Sequence, residues 1–135
     1  MATFEEQVRQ FVIKTTDNLG IVSRKIALDS FTSVITISPV DTGLFRGNWQ
    51  PGIGAPPGGV LETLDPTGAI SIGAVEARVA EFKPGEVIYL ANNLPYAERL
   101  EDGYSKIQAP NGMVRLTQQR FQAIASAAIA QVGDP

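Results

Sequence analysis

Apolar side chains at Phe4, Val8, Phe11, Val12, Leu19, Val22, Ile26 and Val34 recur at the spacing of one helix face. Thr3 stands just ahead of them, with Glu6 three residues later, the pattern of a capping box. The spacing predicts one long helix from about Thr3 to about Ile35, with Gly20 the place for a bend. In a chain of 135 residues, a helix of that length sets the axis on which the rest must pack. Its last stretch, FTSVITIS, is rich in β-branched residues and also reads as extended chain after Asp29.

Pro39 ends the helix, because the residue before a proline is pushed away from helical angles. Val40-Asp41-Thr42-Gly43 is expected to turn, with Asp41 bonding its own backbone and Gly43 at positive φ. A strand is predicted from Leu44 to about Ile53. It would place Leu44, Arg46, Asn48 and Gln50 on one face and Phe45, Gly47 and Trp49 on the other. Residues 54 to 67 have no periodicity and are rich in Pro and Gly. They read as a long exposed loop with little structure in the free subunit, a projecting arm whose Pro56 and Pro57 would meet a neighbour.

Asp65-Pro66 signals a helix start, Asp as the cap and Pro in the first turn. Ile72, Val75, Val79 and Phe82 then share a helix face that ends before Lys83-Pro84-Gly85, although Ala69 to Val75 also reads as a strand. Residues 86–91 form a strand apolar on both faces, which suggests a central position in the sheet. Asn92, Asn93 and Pro95 stop that strand and are expected to cap the short helix after it. Tyr96, Ala97 and Leu100 make one stripe of that helix, which Gly103 closes. The last helix is expected from about Thr117 to about Val132. The fold class is α+β. A small, mostly antiparallel sheet carries a long N-terminal helix, a middle helix and a C-terminal helix, in a single domain spanning 1–135.

Composition narrows the chemistry. There is no histidine and no cysteine. Histidine general-base catalysis, a Ser-His-Asp triad, histidine–zinc ligation, disulfides and thiolate metal sites are all excluded. The net charge of −3 disfavours a whole-domain grip on nucleic acid. Arg24, Lys25, Arg46 and Lys106 could still cluster locally. Among the acidic residues near the distinctive segments, Asp41, Glu98, Glu101 and Asp102, the pair Glu98 and Asp102 sits four apart on a helix surface. It lacks any aromatic sugar platform and reads as solvated. The glycine-rich GIGAPPGG lacks the Lys-Ser/Thr ending of a phosphate loop. The acidic start has no signal-peptide pattern, and no apolar run approaches the roughly 20 residues of a membrane span. The expectation is a non-enzymatic protein with no cofactor.

Six segments stand in order along the chain: the N-terminal helix, SPVDTGLFR at 38–46, Lys83-Pro84-Gly85 before a strand, Asn92-Asn93-Leu94-Pro95-Tyr96-Ala97, Gln108-Ala109-Pro110-Asn111-Gly112-Met113, and the final helix. Together they closely resemble the neck and tail-completion proteins of long-tailed bacteriophages. The resemblance implies a structural part of the head–tail junction, a homo-oligomeric ring around the DNA path. A hexamer would match the tail and a dodecamer the portal side. Partners would be neighbouring connector or stopper proteins and the tail tube, DNA would pass without specific binding, and no membrane would be involved. The place would be the virion, after assembly in the bacterial cytoplasm.

The candidate subunit or partner contacts are Trp49, Pro56, Pro57, Tyr96, Gln108, Pro110 and Met113. Trp49 and Tyr96 suit core or interface alike. Met113, ending a polar loop, reads as an adaptable exposed contact. The expected structural turn and cap residues are Pro39, Asp41, Gly43, Asn92, Asn93, Pro95 and Gly103. The alternative is a soluble module that captures a protein or peptide through the Pro/Gly loop.

Overall fold

The computed structural model describes residues 3–103 and 111–132. Helix α1 runs unbroken over Phe4–Ile37. Thr3 caps it, its hydroxyl accepting the Glu6 N–H at 3.2 Å. The β-branched FTSVITIS segment stays helical because Val34 and Ile35 are buried in the core, and packing outweighs their modest strand preference. The Ser38 hydroxyl donates back to the Val34 carbonyl at 2.7 Å, and Pro39 comes next.

The expected strand from Leu44 is mostly something else. Gly43 takes φ +91°, and the Gly47 N–H reaches back to the Gly43 carbonyl at 2.9 Å. The chain therefore curls through a 3-10 turn at Arg46–Asn48, and only Gln50–Ile53 forms strand β1. In the curl Phe45 and Trp49, four apart, meet edge to face with ring centroids 5.7 Å apart. A strand would also have put both rings on one face, but about 13 Å apart along it, whereas the turn brings them into contact. At that turn the Leu44 N–H bonds the Thr42 hydroxyl, the role expected of Asp41, which is exposed.

Strand β2 covers Ile88–Ala91 and pairs antiparallel with β1, Gln50 opposite Ala91 and Ile53 opposite Ile88. The sheet has two strands, so β2 is not central. Its Ile88 and Leu90 pack against the core, and all four of its residues are partly buried. Pro51 is tolerated in β1 because each strand has a free edge.

Helix α2 spans Ala69–Val79 and buries Ser71, Val75 and Val79. The short α3, Ala97–Glu101, ends as expected with Gly103 at φ +86°. Helix α4, Val114–Val132, starts three residues earlier than its sequence pattern suggested. It packs on α1, where the Ser33 and Thr117 hydroxyls meet at 2.9 Å. The core joins Ala27, Val34 and Ile35 of α1 with Phe45, Trp49, Val75, Val79, Leu94 and Met113. The α+β architecture with its long first and last helices is as read from the sequence.

Candidate interaction surfaces

The distinctive segments turn out to be fasteners. Trp49 is buried, and its indole N–H donates to Ser38 Oγ at 2.8 Å. It belongs to the core, which corrects its reading as an interface anchor. Arg46 lies over the C-terminal end of α1, where free carbonyls collect. Its guanidinium donates to the carbonyls of Ser38 at 2.6 Å, Thr36 at 3.2 Å and Pro66 at 2.8 Å. Burial lowers the Arg46 pKa, partly offset by the charge of Asp65.

Asp65 does cap α2, but from a distance. The helix begins at Ala69 after Gly68 in a left-handed conformation, and the buried Asp65 carboxylate accepts the Ser71 N–H at 2.8 Å. Burial alone would raise its pKa. Hydrogen bonds from the backbone of Ser71 and Ile70, from the Ser71 side chain and from the Gly68 backbone outweigh burial and hold it below the ordinary value. A depressed carboxylate contributes stability above its unfolded pKa of about 4, and that contribution is lost as pH falls through the folded value. Asp65→Asn is expected to cost about 1–3 kcal/mol at pH 7 and to flatten the fall in stability on acidification. Urea melts at pH 7 and pH 3 check this. A mutant that loses as much stability with acid as the wild type would show that Asp65 is not the titrating group.

The long loop has no regular structure, as expected, but it is not a free arm. Buried Asn48 brackets Leu61, accepting its N–H at 2.7 Å and donating to its carbonyl at 3.0 Å. Asn93 donates to the carbonyls of Pro57 and Gly59, and Gln50 to that of Gly59. A Cβ on Gly47 would run into the Thr63 carbonyl, so the loop lies flat against the turn. Asn92 and Asn93 thus fasten loops, Asn92 donating to the Phe45 carbonyl and accepting the Leu94 N–H, and neither caps α3. Pro56 is exposed at the tip and Pro57 half-buried. The loop exposes the apolar Val60, Leu61 and Leu64 together with Glu62 and Thr67.

Met113 is 1% exposed and sits in the core, which overturns its reading as a surface contact. The polar neighbours that made it look exposed hold a turn. Gly112 takes φ +77°, and the Glu101 carboxylate accepts the N–H groups of Met113, Val114 and Arg115 at 2.8–3.0 Å. Glu101 is therefore the N-terminal cap of α4, a role no local pattern marks because it acts from the preceding helix. Gln108 and Pro110 lie outside the described residues. Tyr96 is partly exposed and leans on Phe45, centroids 6.1 Å apart, beside a cleft of about 340 Å³ that also holds Arg99 and Leu100.

The proposed basic cluster does not assemble from its described members. Arg24 donates to the Phe82 carbonyl, Lys25 pairs with Asp29 at 3.0 Å, and Arg46 is committed to α1. Asp102 pairs with Arg115 at 3.5 Å on the surface. Among the described residues no group of His, Cys, Asp or Glu could hold a metal ion, and no helix is long and apolar enough to cross a membrane.

Among the described residues, exposed apolar side chains include those of the loop, Val87, Val114 and Phe121, and the first half of α1, where every residue from 4 to 14 is exposed. There Phe4 is 81% and Phe11 69% exposed, with Val8, Val12 and Leu19 also open to solvent. Comparison with protein-family models, curated proteins and solved structures gives no match.

Proposed function

We propose that the chain is a structural subunit of a phage head–tail junction, working by assembly and without catalysis. The observation that carries this reading is the exposed half of α1. This half continues a helix anchored in the core at its other end and presents Phe4 and Phe11 to solvent. Such a surface marks a partner. The ordered resemblance to neck and tail-completion proteins supplies the setting, the virion.

Identical subunits would close a ring through heterologous contacts, a hexamer on the tail side in preference to a dodecamer. Connector or stopper proteins and the tail tube would lie above and below it. The net charge of −3 suits a lumen that DNA crosses without adhering. The loop face with Val60 and Leu64 is a second surface for a neighbouring ring. Its fastening by Asn48 and Asn93 means that it presents a formed surface, not a segment that orders on contact. In intact particles carrying a label on this chain, the label is expected at the junction of head and tail. Label on the capsid shell, or none in purified particles, would refute the reading.

A further inference from the structure

We infer that subunits join by seating the exposed end of α1, Phe4 to about Thr15, in the apolar groove beside α4 of a second copy. The groove measures about 730 Å³. Its floor is the second half of α1, including Ile26 and Phe31. One wall is α4, with Val114 and Phe121, and the other is Phe82 with Ile88. Phe121 stands about half exposed at its rim. Ser30 also lines the groove, and its hydroxyl is buried without a hydrogen-bond partner among the described residues.

The exposed end matches it in kind. At 100° per residue, Phe4, Val8 and Phe11 lie within about 40° of Ser33 around the helix. Ser33 touches α4 through Thr117. The face of α1 that α4 covers therefore continues, uncovered, to the helix start. The groove follows α1 from Ser23 to Val34, about 16 Å at 1.5 Å per residue, and three turns of the exposed end have the same length.

The occupant must be another copy. Helix α1 is continuous, so its start lies about 28 Å along the axis from Ser23 and cannot fold back into its own groove. In charge the match is local: Glu5 and Glu6 stand in the first turn and α4 carries Arg120, while Arg115 is already paired with Asp102. Two exposed ends pairing in parallel would instead set Glu5 and Glu6 against their own copies. A membrane surface is a poorer fit, since interfacial helices are rich in Lys and Arg and this segment, with Glu5 and Glu6 against Arg9 and Lys14, carries no net positive charge.

The contact is heterologous, so repeated copies close a ring or extend a filament. It rests on the ring reading in that copies must meet. The chain has no native cysteine, so V12C and Q118C each carry a single thiol. Oxidising an equimolar mixture is expected to yield the V12C–Q118C dimer as the main product. Domination by V12C homodimers, or no cross-link in the mixture at high protein concentration, would overturn the docking. Phe11→Asp is expected to weaken self-association by more than about tenfold in sedimentation, with unchanged circular dichroism. Equal association of wild type and variant would also overturn it. A failed cross-link with the chain still found at the junction rejects only this contact; loss from the junction rejects the wider reading.

Discussion

Met113→Asp is expected to leave the chain largely unfolded. Met113 is 1% exposed and packed in the main core cluster. Removing a buried methionine side chain costs about 2–5 kcal/mol. Placing an unpaired carboxylate there adds several more, or forces it to stay protonated. A domain of this size has only about 5–15 kcal/mol in hand. The change also falls at the start of α4, where the Met113 N–H is held by Glu101 at 3.0 Å. It would bring a second acid close to that carboxylate. Circular dichroism at 25 °C should show most of the helix signal lost. Met113→Leu, which keeps volume and polarity, should melt within a few degrees of wild type. A folded Met113→Asp protein would mean that the residue is a surface contact after all.

Gly43→Val is expected to be nearly as damaging, for a backbone reason. Gly43 sits at φ +91°, and a Cβ there would lie 2.5 Å from the Pro66 nitrogen and 2.7 Å from the Asp65 nitrogen. Those are backbone atoms and cannot swing aside. The Gly43 carbonyl also takes two N–H groups, from Gly47 and Asp65, so displacing it loosens the curl and the loop together. The positive φ alone costs a β-branched residue about 1–3 kcal/mol, and the collision adds to that. Gly54→Val separates the two effects. Gly54 has φ +84° but nothing within 4 Å of a built Cβ, so it suffers the strain alone. Thermal melts should rank wild type above Gly54→Val, and Gly54→Val well above Gly43→Val. Equal melting of the two variants would mean that the collision contributes nothing.

Local signals in the sequence were reliable where local physics decides. Thr3 and the apolar spacing placed α1 to within two residues at its end, and Gly43 and Gly103 take the left-handed angles their positions required. Asp65 was legible as a cap, though its reach to Ser71 across a glycine start was not. Signals failed where a residue's role depends on a distant segment. Phe45 and Trp49 read as one face of a strand, yet the Gly47 hydrogen bond to Gly43 curls the chain so that the two rings touch. Met113 looked exposed because its sequence neighbours are polar, whereas its burial comes from the core cluster it joins. Glu101 holds α4 from twelve residues upstream, and no spacing rule links the two. The apolar pattern of β2 matches its partial burial, but an apolar run does not say whether a strand lies at the centre or the edge of a sheet.

The same contrast marks the functional surface. The stripe from Phe4 to Leu19 was visible as one helix face, but periodicity alone cannot say where cover ends. The structure puts that limit in the middle of α1, and so turns an ordinary core stripe into an unpaired one. The loop moved in the opposite sense, from an expected free arm to a surface pinned by Asn48, Gln50 and Asn93.

Whether the chain builds the head–tail junction is tested most directly by cryo-electron microscopy of intact particles. The expected image is a closed ring at the junction into which this fold fits. The Phe4–Ile37 helix of each copy should reach onto the α4 side of its neighbour, with a channel wide enough for DNA at the centre. A junction whose densities are all filled by other chains, with this one absent from the particle, would contradict it.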